Sequence, residues 1–263
     1  MHYEFSSLVD PGRIRANNED AVFLLPDQGV ALLADGMGGY NAGEVASGMA
    51  TTLLGAELGR WMHAAPADVP ASAIHQAIEG GVDQVNRSVF EAARTNPACS
   101  GMGTTLVVAV FRGTRLLMGH IGDSRGYRWR MGELTRMTRD HSLLQEQLDA
   151  GLVTPAQAAV STHRNLVTRA LGVQETVRID IRDHAVQPGD CYLLCSDGLS
   201  DMLDDSTIAF ILGRQGPLPA KARALVHEAN SRGGRDNIAV VLVQARERKP
   251  RASWLGEWLG AAA

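Results

Sequence analysis

Hydrophobic and polar positions change their period several times along the chain. Ala21–Leu25 and Val30–Ala34 are apolar runs of strand length, and the turn-forming Pro26-Asp27-Gln28-Gly29 between them predicts an antiparallel pair. After Gly38-Gly39, Val45, Met49, Leu53 and Leu54 recur at helical spacing, as do Ile74, Ile78, Val82, Val85 and Val89. Two long helices joined through Pro66–Pro70 are predicted. The period then shortens over Thr104–Phe111, Arg115–Ile121, Arg125–Arg130 and Leu134–Met137. Their links, Arg112-Gly113-Thr114, Gly122-Asp123-Ser124 and Met131-Gly132, are short enough to predict a β-meander. His141 to Gly172 reads as a loop-rich excursion with Leu143, Leu144 and Leu148 on one helical face and a polar Ser161–Asn165 stretch. Strands are predicted again at Val177–Arg182 and Cys191–Ser196, helices near Leu203–Leu212 and Pro219–Ser231, and a last strand at Ile238–Gln244. Antiparallel strands with helices grouped in pairs predict an α+β fold, a central antiparallel β-sandwich flanked by helix pairs in α-β-β-α layers, and disfavour a βαβ Rossmann arrangement.

Composition narrows the function classes. At 263 residues and 45% hydrophobic, the chain can bury one sizeable core. Lys plus Arg number 25 against 29 Asp plus Glu, a net charge of −4 that argues against a nucleic-acid partner. Cys99, Cys191 and Cys195 are too few for a disulfide framework or a four-ligand zinc site and fit a reducing cytoplasm. Cys191 and Cys195 share parity on one strand and read as small buried side chains. The chain shows neither a basic, then apolar leader nor 18 consecutive apolar residues, so a soluble, cytoplasmic monomer is expected. The tail, 246–263, carries Arg246, Arg248, Lys249 and Arg251, then Trp254, Leu255, Trp258 and Leu259 on one helical face. It is expected to be a frayed or self-packed terminus, with membrane attachment disfavoured.

Candidate chemistry lies in where the acids fall. Asp35 closes the apolar Ala31–Ala34, and Asp123 follows Leu116–Ile121 inside Gly122-Asp123-Ser124. Asp197 follows Tyr192–Cys195, and Asp236, with Asn237, follows Gly233-Gly234 just before the last strand. One such Asp would read as an ordinary turn residue; four closing apolar runs call for more. If these strand ends meet at one edge, the charges repel unless cations neutralise them. The donors are all oxygens with no His or Cys cluster beside them, which favours Mg²⁺ or Mn²⁺ over zinc or copper. The glycines after Asp35 and Asp197 are expected to let a backbone carbonyl approach an ion. Asn17-Asn18-Glu19-Asp20 adds two more acids.

In order, Arg15-Ala16-Asn17-Asn18-Glu19-Asp20-Ala21, Ala34-Asp35-Gly36-Met37-Gly38-Gly39, Gly103-Thr104-Thr105, Gly122-Asp123-Ser124-Arg125, Cys195-Ser196-Asp197-Gly198 and Asp236-Asn237 resemble the metal-dependent serine/threonine phosphatases of the protein phosphatase 2C (PPM) family. Asp140-His141-Ser142 and Thr168-Arg169-Ala170-Leu171-Gly172 resemble its bacterial members. The resemblance implies one catalytic domain over residues 1–245, with a flap at about 140–172 over the site, and two Mn²⁺ or Mg²⁺ ions with a possible third. By position, Asp35 would bridge two ions, the Gly36 carbonyl would bind one, and Asp197 and Asp236 the other. Glu19 and Asp20 would act through water, and Asp123 with Asp197 would make the third site. A hydroxide shared by the two ions would attack phosphorus directly, with no phosphoenzyme, while Arg15 clamps the phosphate with a fork geometry that a Lys lacks. The implied partners are phosphorylated Ser/Thr proteins and a bacterial Ser/Thr kinase that the enzyme opposes.

One position departs from the family pattern. Many eukaryotic members carry a His two residues after the bridging Asp, where this chain has Met37. A metal-bound water is therefore the first expected proton donor, ahead of His141 or His163. Rival readings are weaker. Gly122-Asp123-Ser124-Arg125-Gly126 matches a nucleophile elbow, but the strand-like Tyr127-Arg128-Trp129-Arg130 follows where an elbow needs a helix. No cysteine has an Arg six residues on, and neither Lys221 nor Lys249 follows a P-loop. A non-catalytic binding module would tolerate loss of ligands, and every expected one is present.

Overall fold

Strands apolar at consecutive positions need cover on both faces, and the computed structural model supplies it with two stacked sheets between two helical layers. The structure describes residues 1–38, 42–154, 157–158 and 166–247. One sheet holds β1 (His2–Asp10), β7 (Arg125–Arg130), β8 (Glu133–Arg136), β10 (Cys191–Cys195) and β11 (Ile238–Arg246), in the order β1-β11-β10-β7-β8. The other holds β2 (Asp20–Leu25), β3 (Val30–Met37), β5 (Leu106–Arg112), β6 (Arg115–Ile121) and β9 (Asp180–Ala185), in the order β2-β3-β5-β6-β9, with a two-residue β4 (Gly103–Thr104) on the end of β3. All pairings are antiparallel.

Alternate residues of each strand serve different cores. Val30, Leu32, Leu106, Val108 and Val110 face α1 (Ala42–Ala64) and α2 (Ala71–Thr95). Ala31, Leu33, Val107 and Phe111 meet Tyr192, Leu194, Val241 and Val243 between the sheets. Cys191, Leu193, Val240 and Leu242 face α5 (Asp205–Gly213) and α6 (Leu218–Ser231). The expected α-β-β-α layering is therefore what the chain adopts, and Cys191 and Cys195 are the buried fillers their parity predicts. Among the described residues, no helix is long and apolar enough to cross a membrane.

Three expectations need correction. The first strand, β1, is absent from the periodicity reading, yet it pairs with β11 along its whole length. Its signal is the alternation of Tyr3, Phe5 and Val9, which pack between the sheets, with Leu8 on the helix side. The expected meander is two hairpins in different sheets: β5 pairs with β6, β7 with β8, and the chain crosses from one sheet to the other at Gly122-Asp123-Ser124. Gly122, at φ +94°, supplies the turn. The strand predicted at Val177–Arg182 starts later, because its partner β6 ends at Ile121 and the ladder closes with His120↔Asp180. Val177 and Ile179 pack on the helix-side core without a strand partner. At the other end of the chain, β11 runs two residues past the predicted Gln244, and Arg246 pairs with Glu4 at 2.7 Å. The tryptophan-bearing tail and His163 lie outside the described residues.

Candidate metal centre

Topology brings the acids together. Asp20 and Asp35 are cross-strand partners of β2 and β3, so their side chains leave the sheet at the same end. Asp123 sits on the crossing between the sheets, Asp197 opens α4 (Asp197–Ser200) just after β10, and Asp236 precedes β11. Antiparallel pairing of β10 with β11 puts these last two at one end. A cavity of about 370 Å³ is lined by Arg15, Glu19, Asp35, Asp123, Asp197 and Asp236, with Gly36 and Met37 beside them and Leu166 and Val167 from the excursion. Asp20 lies behind this wall: its Oδ2 accepts from Ser196 Oγ at 2.7 Å, and its buried Oδ1 has no partner. Asp123 and Asp197 also border a second cavity of about 260 Å³ on the side of α3 (Leu143–Asp149).

The scaffold grips Asp35 and Glu19 through their backbone. Asp35 N–H donates to Thr105 Oγ1 at 3.0 Å, and Thr104 Oγ1 donates to the Asp35 carbonyl at 2.8 Å. Asn237 Oδ1 accepts from Glu19 N–H at 2.8 Å, while its Nδ2 donates to the Pro11 and Asn17 carbonyls at 3.0 and 2.8 Å. Thr104, Thr105 and Asn237 stand in motifs that carry the resemblance, but spacing alone assigns them no role. Asn237→Ala takes the partner from three part-buried backbone groups, a loss of about 1–2 kcal/mol and a fall in Tm of roughly 2–8 °C. A melt followed by circular dichroism checks this, and an unchanged Tm refutes it. The glycines also allow close backbone packing: a Cβ on Gly36 would lie 2.0 Å from the Gly43 carbonyl oxygen, and one on Gly198 would lie 2.0 Å from that of Asn237. They admit neighbouring backbone.

Electrostatics at the site are unfavourable without cations. Burial pushes Asp35 well above the carboxylate range, and the charges of Asp20, Asp197, Asp123 and Asp236 push it further. Asp197 is raised in the same way by burial and then by Asp123. Burial lifts Asp20 to about 7 and Asp123 to about 6. Glu19 is raised by burial, with Arg15 opposing. Arg15 is half-exposed and donates from Nη2 to Asp236 Oδ2 at 2.7 Å, a single cation against several acids among the described lining residues. This donor set, hard oxygens with an orphaned carboxylate oxygen behind them, fits divalent cations. Among the described residues, however, no three of these acids offer oxygens all within 4.8 Å of one another.

A group that does meet that criterion is His120, His141 and Asp180, outside the cavity. Its atoms are already committed. The two rings stack at 4.6 Å, and His141 Nδ1 accepts from Gly122 N–H at 3.1 Å. That leaves the neutral ring's Nε2–H for Asp180 Oδ2 at 3.3 Å, while Arg169 donates to Asp180 Oδ1 at 3.0 Å. Burial, His120 and Arg169 push His141 down to about 4. His141 therefore bolts the excursion to the Asp123 crossing, helped by Arg125 donating to Asp140 at 2.8 Å, and its ring does not reach the cavity as a proton donor. Ser124 is fully buried, shares a 2.7 Å hydrogen bond with Thr105 and leads into β7, so the elbow reading fails.

The chain is similar in sequence and in fold to known protein phosphatases. The family model for protein phosphatase 2C matches residues 13–239. The serine/threonine phosphatase stp of Listeria monocytogenes serovar 1/2a is 39% identical over 247 residues, covering 93% of this chain and 96% of that protein. The crystal structure of the Mycobacterium tuberculosis serine/threonine phosphatase PstP/Ppp superposes with a TM-score of 0.84 at 38% identity, covering 94% of this chain and all of that one. A PstP catalytic domain in complex with two manganese ions gives 0.81 at 36% identity, covering 93% and 99%. The chain belongs to the protein phosphatase 2C family. It is a hydrolase of the protein phosphatase class.

Proposed function

We propose that the cavity is the active site of a serine/threonine phosphatase in which Asp35, Asp123, Asp197, Asp236 and the Gly36 carbonyl hold Mn²⁺ or Mg²⁺, two ions with room for a third between Asp123 and Asp197. The observation that carries this reading is the convergence of buried, mutually repelling acids at one end of the sandwich. Glu19 and Asp20 act through water. No three of these acids offer oxygens all within 4.8 Å of one another, so they would hold an ion only together with backbone or water oxygens. The ions supply Lewis acidity, lowering the pKa of water and offsetting charge on the phosphoryl oxygens.

The chain's own residues do the rest. Arg15, at the cavity lip, binds the phosphate oxygens with its fork. Its partner Asp236, at 2.7 Å, orients the guanidinium at the lip. Thr105 brings a hydroxyl to the cavity lining, but it is tied to Asp35 N–H and Ser124, so the nucleophile is water and no phosphoenzyme forms. Met37 lines the cavity and carries no proton, so water also protonates the leaving alcohol. Residues 1–245 act as one catalytic domain whose flap, about 140–172, contributes Leu166 and Val167 to the wall, with 246–263 as a separate tail. The enzyme works in the cytoplasm, reversing a Ser/Thr kinase. Hydrolysis of a phosphothreonine peptide is expected to require Mn²⁺ or Mg²⁺ and to stop with chelator; turnover in chelator overturns the reading. Arg15→Lys is expected to lower kcat/KM by about 10–100-fold through loss of bidentate contact.

A further inference from the structure

A groove of about 620 Å³, larger than the 370 Å³ acid-lined cavity, runs between β1, the end of α5 and α6. Its walls carry Arg13, Arg214, Lys221 and Arg223 against a single acid, Asp10, in a chain whose net charge is −4. The acid is occupied, with Oδ1 accepting from Gly12 N–H at 2.9 Å and from Asn230 Nδ2 at 3.0 Å. Lys221 is occupied too, donating to the Leu212 carbonyl at 2.6 Å. Arg13, Arg214 and Arg223 are exposed and make no side-chain hydrogen bond or ion pair within the described residues. Three free guanidinium groups around one concavity focus positive potential there.

The groove adjoins the active site. Arg13 donates its backbone N–H to the Gly234 carbonyl at 2.7 Å, and Arg15, two residues on, reaches Asp236. Between them Ile14 is 71% exposed. The Cα atoms of Arg13 and Arg15 are at most about 7.6 Å apart. Along α6, Arg223 lies about 10 Å from the site-proximal Asn230, roughly three residues of extended chain.

We propose that this groove takes an acidic stretch of the phosphoprotein substrate, Glu, Asp or a second phosphorylated side chain, roughly two to six residues from the phosphoresidue. The proposal rests on the reading of Arg15 as the phosphate ligand. Charge complementarity and continuity with the cavity select a substrate peptide over a separate partner.

The test uses the full chain with Mn²⁺ and three phosphothreonine peptides: one with Glu at the two-to-six positions on the amino side, one with Glu on the carboxyl side, and one with Gln at all of them. One acidic peptide is expected to exceed the Gln peptide in kcat/KM by at least about 5-fold at low salt, mainly through KM, with the advantage fading as salt rises. The double variant Arg214→Gln, Arg223→Gln is expected to erase that advantage while hydrolysing p-nitrophenyl phosphate as the unaltered protein does. Equal turnover of all three peptides, or an advantage that survives the double variant, overturns the proposal. So does a salt-sensitive complex with single-stranded RNA that the double variant abolishes while peptide preference is flat. Absent Mn²⁺-dependent hydrolysis of p-nitrophenyl phosphate would instead sink the active-site reading.

Discussion

Asp35→Asn is expected to lower kcat by at least about 10³-fold and, in chelator, to raise Tm. Loss of an outer partner to a metal ligand costs about 10–100-fold, and Asp35 lies at the centre of the acid cluster. The charges of Asp20, Asp197, Asp123 and Asp236 all bear on it. The substitution keeps the side-chain shape and leaves the local hydrogen bonds intact, because Thr104 and Thr105 hold the backbone of residue 35. It also removes a buried, repelled charge, so the cation-free protein is stabilised even as the enzyme is lost. Steady-state kinetics and paired melts with and without EDTA check both halves. An active variant, or a destabilised one in chelator, refutes the argument.

The second expectation concerns pH. Asp20, at about 7, and Asp123, at about 6, are raised above their unfolded values by burial, as Asp35 and Asp197 are more strongly. For an acid with a raised folded pKa, the native state binds more protons than the unfolded one. Its stabilising contribution is complete below the unfolded pKa near 4 and is lost as pH rises through the folded pKa. In EDTA the protein is therefore expected to be less stable at pH 8 than at pH 5, by on the order of several kcal/mol. Added Mn²⁺ should recover that loss at pH 8 and have little effect at pH 5, where protons already neutralise the cluster. Urea titrations at both pH values measure it, and a flat or rising profile in EDTA contradicts it.

Much of this was legible in the sequence because both faces of the central strands are buried. Val30–Ala34 and Ile238–Val243 are apolar at successive positions, and the acids flanking such runs stand out. β1 is harder to see, since polar Ser7 interrupts the alternation of Tyr3, Phe5 and Val9 and weakens its signal. The crossing at Gly122-Asp123-Ser124 was read as a hairpin because a three-residue link does not encode which sheet receives the next strand. That choice is made by distant groups, His141 on Gly122 and Arg125 on Asp140, which sequence spacing cannot pair. The same holds for Asn237, whose three contacts reach back to residues 11–19.

The excursion between β8 and β9 leaves and rejoins the body at a staple. Ser142 bridges to Val167, Leu143 N–H donates to the Leu166 carbonyl at 2.9 Å, and Thr104 and Leu171 exchange backbone hydrogen bonds at 3.1 and 2.8 Å. Chain between the stapled ends can lengthen at only about 0.6 kcal/mol per doubling. A change of length between the staples is therefore expected to leave the Ser142–Val167 and Thr104–Leu171 pairings, and the acids below them, in place.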